Sequence, residues 1–267
     1  MKHPFTSAEI ALMVAAALAL AAACFGPPVA QYAHYHAFAD QRAMWGLPCA
    51  LDVLSNLPFA VMGGWGLWCL HGVGRNGGGL WGLQPVGVQR QLATLFFAGL
   101  LVTAACSTWY HLQPDDAGLA VDRMGMVLAF AGLLGLAVAD RVSARCGACM
   151  ALAVLGLGPV AVGVWASSAN LLPWSMLQGG GMVLVLAMAA RRPAAGAWGV
   201  PLGAVIAWYA VAKLLELGDQ PVFALTQGVV SGHTLKHVAA ALSAWPVIAL
   251  MHNGAQTRVR RAFMALA

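Results

Sequence analysis

Three histidines, one aspartate and one serine stand where an apolar chain has little use for them. His233 and His237 are four residues apart in "VVSGHTLKHVAAALSAW", so on a helix they lie on one face, a turn apart. Ser107 and His111 have the same spacing in "STWYH", and Asp122 follows eleven residues after His111. Three neutral imidazoles around an open fourth position form an arrangement that suits catalytic zinc, which lowers the pKa of bound water to about 7. A nearby carboxylate can take the proton as hydroxide attacks a carbonyl. A single histidine on an apolar face is more often a packed, hydrogen-bonded residue. Two same-face pairs with a carboxylate are hard to assign to packing, because ionisable groups at membrane depth are costly.

The elements that must position these residues are membrane helices. The chain has 267 residues, of which 61% are hydrophobic and only 9% charged, whereas soluble domains carry nearer a quarter charged residues. Eight apolar runs, near 8–25, 50–70, 90–111, 118–139, 147–166, 173–190, 198–217 and 229–251, approach the roughly 20 residues needed to cross hydrocarbon. Short loops rich in Gly, Pro, Asp and Arg separate them. The expected fold is an all-α polytopic transmembrane helix bundle. The first run, Ala-rich after Lys2, reads either as a cleaved signal peptide or as a retained anchor. The net charge of +5 comes from scattered Lys and Arg with no stripe to track a phosphate backbone, which argues against a nucleic-acid partner. The six cysteines fall mostly inside apolar runs, and "CGAC" at Cys146 to Cys149 reads as helix-end filler.

Lys2, Arg75 with Arg90, Arg141 with Arg145, Arg191 with Arg192, and Arg258 with Arg260 and Arg261 occupy every second connection, which places those connections and both termini on the cytoplasmic side. The alternate connections carry Asp40 with Arg42, Asp115 with Asp116, an uncharged turn near Asn170, and Asp219. His111, Asp122, His233 and His237 then lie at the outer ends of their helices. Pro114 and the turn after it allow an antiparallel return that brings Asp122 to nearly the depth of His111. Lys236, off the histidine face, is expected to snorkel to the outer interface. Arg123 is expected to pair with an acidic neighbour, and Asp52 or Glu216 either to support the site or form ion pairs or simply to be solvated at a helix end. His34, His36 and His252 receive no role.

"STWYH", Asp122 and "GHTLKH" together resemble the alkaline ceramidases, whose wider superfamily includes the adiponectin and progestin receptors. The match falls on Ser107, His111, Asp122, His233 and His237, and "LDVLSNLPF" resembles the family's first core helix, with Ser55 and Asn56 at its Ser-Asn signature. The resemblance implies a seven-helix domain over 48–267, with 1–47 as an added apolar segment and outer loop. It implies zinc held by His111, His233 and His237, Asp122 as proton acceptor and later donor, and Ser107 as a hydrogen-bonder near the metal or the developing oxyanion. The implied activity is hydrolysis of the amide of ceramide or a related N-acyl lipid drawn from the membrane. The acidic N-terminal stretch and Glu that hold calcium in the eukaryotic ceramidases are replaced by "HAFADQRAMWGLPC", which argues against a calcium site. The family's Asp-Glu is Asp122-Arg123 here, which leaves the head group open.

The alternative is a lipid-sensing receptor whose intramembrane zinc is structural. A transporter would show an internal repeat or paired broken helices, and none is evident. A retinal-type photoreceptor is disfavoured by the placement of Lys236 near a helix end between metal-suited histidines. The compact loops fit a bacterial inner membrane.

Overall fold

The computed structural model describes residues 5–75 and 87–252, without the side chains of 72–75. Lys2 and the cluster Arg258, Arg260 and Arg261 lie outside the described residues. The protein is an all-α polytopic bundle, and among the described residues there is no strand, only isolated bridges. Among the described residues, seven helical segments are long and apolar enough to cross a membrane: Ser7–Phe25, Ala50–His71, Gly87–Leu112, Asp116–Arg141, Ala144–Ser168, Leu172–Ala189 and Gly232–His252. The apolar run near 198–217 forms a shorter helix, Leu202–Leu217, of 16 residues, about 24 Å at 1.5 Å per residue.

In chain order the helices are α1 (Ser7–Phe25), α2 (Ala50–Leu54), α3 (Leu57–Arg75), α4 (Gly87–Leu112), α5 (Asp116–Arg141), α6 (Ala144–Ser168), α7 (Leu172–Ala189), α8 (Leu202–Leu217), α9 (Asp219–Leu225) and α10 (Gly232–Leu242). After a turn at Ser243 and Ala244, residues 245–252 are again helical. α1 begins with a capping box, in which the Thr6 side chain accepts from the Glu9 backbone and Glu9 accepts from the Thr6 backbone. Glu9 also takes both Arg145 (2.8 and 2.6 Å) and Ser143 (2.7 Å), tying the start of α1 to the start of α6.

The centre of the bundle is the α4–α5 hairpin, and its register follows from small residues. A Cβ on Gly132 would lie 2.2 Å from the Phe96 backbone nitrogen, one on Gly99 would lie 2.3 Å from that of Ala129, and one on Gly125 would lie 2.8 Å from the Cys106 Cβ. The two backbones approach at the glycines, as small-residue interfaces in membranes do. The turn is closed by Asp115, which caps α5 by accepting from Gly118 N at 2.6 Å.

The loops sort into two ends. At one end, Val29 bonds Asn170, Ala39 bonds Asp219, and Arg42 bonds the Val229 carbonyl, so segments 26–49, 169–171 and 218–231 lie together. At the other end, the buried Asp140 accepts from Gln89 (3.0 Å), Gly199 N (2.9 Å) and Val200 N (3.0 Å) and pairs with Arg141. This segregation matches the grouping of connections read from the charge pattern.

Candidate metal centre

His111 comes from the last turn of α4, and His233 and His237 from the first turns of α10. The start of α10 is fixed tightly. Ser231 caps it by accepting from Thr234 N at 3.0 Å, and a Cβ on Gly232 would lie 2.3 Å from the Leu215 carbonyl oxygen. Only glycine lets α10 begin this close to the end of α8. Asp219 joins the two sides of the site, accepting from His233 N at 2.7 Å and from Ala39 N at 2.9 Å.

The three imidazoles form a nearly equilateral triangle, with ring centroids 4.9, 5.0 and 4.9 Å apart. All three are buried, and one ligand atom from each lies within 4.8 Å of the others. The Nε2 atoms of His111 and His233 are 3.3 Å apart. Two nitrogens on a tetrahedral ion with bonds of 2.0–2.1 Å are separated by ~3.3 Å. His237 is oriented through its far nitrogen: Nδ1 lies 2.7 Å from Ser55 Oγ, which donates to the Asp52 carbonyl at 2.9 Å. With that acceptor engaged, the hydroxyl is left to receive the Nδ1 proton, which leaves the Nε2 lone pair of His237 for an ion. Hydrogen-bonded partners of this kind set the tautomer and ring angle of metal-binding histidines. The donor set fits a divalent ion of the zinc type.

Ser55 reaches His237 because the span Ala50–His71 is broken between α2 and α3. Pro58 brings no N–H to continue the helical ladder, and Asn56 Nδ2 bonds the Asp52 carbonyl at 3.0 Å. The Asp52 carboxylate accepts from Thr234 Oγ1 at 2.6 Å, joining α2 to α10. Asp52 therefore supports the site through both its carbonyl and its carboxylate.

Below the triangle lies a cavity lined at one end by His237, Ser107, Asp122, Lys213, Glu216 and Lys236. Its walls continue along Phe96, Leu100, Met126 and Leu133. Asp122 shares the cavity with Ser107, but the register of the hairpin corrects its depth. With Gly125 against Cys106 and Gly118 against Tyr110, Asp122 falls level with Cys106 and Ser107, one turn deeper than His111. The turn residues after Pro114 place the return of the chain but not where α5 gains its first inward-facing position.

Three other readings need correction. Lys236 does not snorkel; its Nζ lies 3.0 Å from Glu216 Oε1, inside the cavity. Lys213 pairs with the other Glu216 oxygen. Arg123 has no acidic partner among the described residues: Nη2 donates to Gln31 at 2.7 Å and the guanidinium lies 4.0 Å over Trp165, between Tyr35 and Trp174. Aromatic faces stabilise a buried guanidinium in place of a carboxylate. His36, given no role from sequence, contacts Tyr110 Oη at 2.8 Å and Asp116 Oδ1 at 3.0 Å, fixing the outer loop to the α4–α5 turn.

Sequence reasoning missed Phe38. Its ring stacks 4.3 Å from His233 and 4.9 Å from His111 and is 5% exposed, so it caps the triangle on the loop side. The only signal was one phenylalanine between alanines in a polar stretch. No protein-family model matches the chain, and no characterised protein shows significant similarity to it.

Proposed function

We propose that the protein is a zinc-dependent membrane amidohydrolase that cleaves the amide of ceramide or a related N-acyl lipid to a fatty acid and an amine. The observation that carries this reading is the convergence of three buried imidazoles, with the Nε2 atoms of His111 and His233 3.3 Å apart, beside a cavity that His237 lines together with Asp122 and Ser107 and that continues between apolar walls. When bound, the ion supplies Lewis acidity, polarising a carbonyl and acidifying water at neutral pH. Asp122, within the same cavity, takes the proton from the attacking water and returns it to the departing nitrogen. Ser107 donates a hydrogen bond toward the carbonyl oxygen as charge develops there. Phe96, Leu100 and Leu133 hold the acyl chain and exclude water from it. The water oxygen joins the acyl carbon, the C–N bond breaks, and both products can return to the bilayer. The loop pattern supports a bacterial inner-membrane setting, with the termini cytoplasmic and the histidines near the outer face.

The test is to purify the chain, measure bound metal and follow fatty-acid release from a panel of N-acyl lipids. His237→Ala is expected to lower zinc content. Asp122→Asn is expected to keep folding and metal while slowing release by about 10²–10⁴-fold, the usual contribution of a general acid–base group. Undiminished release in either variant refutes the mechanism. Stoichiometric zinc with no release from any lipid favours the lipid-sensing alternative.

A further inference from the structure

The polar end of the cavity holds an arrangement that simple amide hydrolysis does not require. Two lysines from different helices, Lys213 of α8 and Lys236 of α10, share one carboxylate, each taking a separate oxygen of Glu216. Both lysine side chains are partly buried, 32% and 20% exposed. Of the six N–H donors on two ammonium groups, two go to Glu216, and the other four meet no protein acceptor among the described residues. The charged residues lining the cavity are Asp122, Glu216, Lys213 and Lys236, two of each sign. These charges balance, so what this end offers an incoming anion is the four open ammonium donors, in surroundings where charge is poorly screened.

We propose that Lys213 and Lys236 bind an acidic group on the amine side of the substrate, so that the preferred lipid is an N-acyl amino acid rather than a neutral ceramide. This rests on the amidohydrolase reading and deepens it. With the acyl chain between Phe96, Leu100 and Leu133 and the amide level with Asp122 and Ser107, the amine portion meets the lysines. An α-carboxylate lies only two bonds from the amide nitrogen, which suits a cation pair lining the same cavity as the general base. A neutral diol head group would occupy the same place but accept only the weaker hydrogen bonds of an uncharged acceptor from the two ammonium groups. Hydrolysis breaks the acyl C–N bond, adds the water oxygen to the acyl carbon and releases the amino acid with the proton carried by Asp122.

The test uses the full chain in nanodiscs of neutral phosphatidylcholine, with N-oleoylglycine, its primary carboxamide and oleic acid as probes. Binding is measured on metal-stripped protein and release on zinc-loaded protein. Wild type is expected to bind N-oleoylglycine at least about tenfold more tightly than the carboxamide, the scale of one charge-assisted hydrogen bond. Lys213→Gln, which leaves Glu216 paired with Lys236, is expected to bring that ratio toward one, and Lys213→Arg to preserve it. Equal binding of acid and carboxamide by wild type overturns the proposal without any variant. So does lysine-dependent binding of oleic acid alone, which assigns the pair to the product. Release from neutral N-acyl lipids with no acid preference removes the anion site and leaves the amidohydrolase. Acid-selective, lysine-dependent binding without release keeps the anion site and removes the amidohydrolase.

Discussion

Replacing Ser55 by alanine tests whether His237 is held for an ion or simply packed. The hydroxyl lies 2.7 Å from His237 Nδ1 and donates its own hydrogen bond to the Asp52 carbonyl 2.9 Å away. Its removal leaves a buried imidazole N–H without an acceptor, at a cost of about 1–3 kcal/mol, and frees the ring to rotate about its last bond. Loss of such a supporting partner weakens metal affinity by about 10–100-fold, or roughly 1.4–2.7 kcal/mol. The assay is equilibrium competition for zinc against a chelator of known affinity, on detergent-solubilised protein, with thermal stability recorded for the metal-free and metal-loaded forms. The expected result is a loss of zinc affinity in that range and a smaller stabilisation by zinc. If Ser55→Ala binds zinc as wild type does, the orientation of His237 by Ser55 is wrong, whatever the change in overall stability.

Two further substitutions probe the frame around the site. Gly232→Ala places a methyl group 2.3 Å from the Leu215 carbonyl oxygen, so α10 must shift; overpacking of this kind costs about 1–3 kcal/mol, and lowered thermal stability together with reduced zinc content is expected. Asp40→Asn addresses the loop: the Arg42 guanidinium beside Asp40 holds its carboxyl below the usual carboxylate range. The stabilisation is therefore complete above the unfolded carboxylate pKa and lost as pH falls through the depressed folded value. With Arg42 half exposed, the Tm deficit of Asp40→Asn at neutral pH is expected to reflect no more than about 1 kcal/mol and to vanish in acid; a deficit that persists there refutes the pairing.

The membrane helices and the histidine triangle were legible because both rest on local regularities. Apolar run length gives a span, and four-residue spacing puts His233 and His237 on one face. The α4–α5 turn was legible from Pro114 and the residues after it, but the depth of Asp122 was not, since it depends on glycine contacts between distant positions such as Gly132 and Phe96. Lys236 was misread for a related reason. Snorkelling is the default where no partner waits inside, and Glu216, twenty residues earlier on another helix, is a tertiary fact. Arg123 shows that three aromatic rings brought from separate segments can replace the anion that sequence reasoning expects.

The Phe38 cap bears on rates as well as structure. An ion seated among the three histidines cannot depart toward the loop end until Phe38 swings clear, and the loop carrying it is fastened at Asp219 through Ala39 and at Tyr110 and Asp116 through His36. Loading and stripping in that direction are thus limited by how often those fastenings release together, a local opening of the native state. Where exchange takes that route, dialysis against a chelator reports the frequency of that opening before it reports affinity, and trimming Phe38 to alanine shortens the wait; an unchanged stripping rate in Phe38→Ala sends the ion out through the cavity instead.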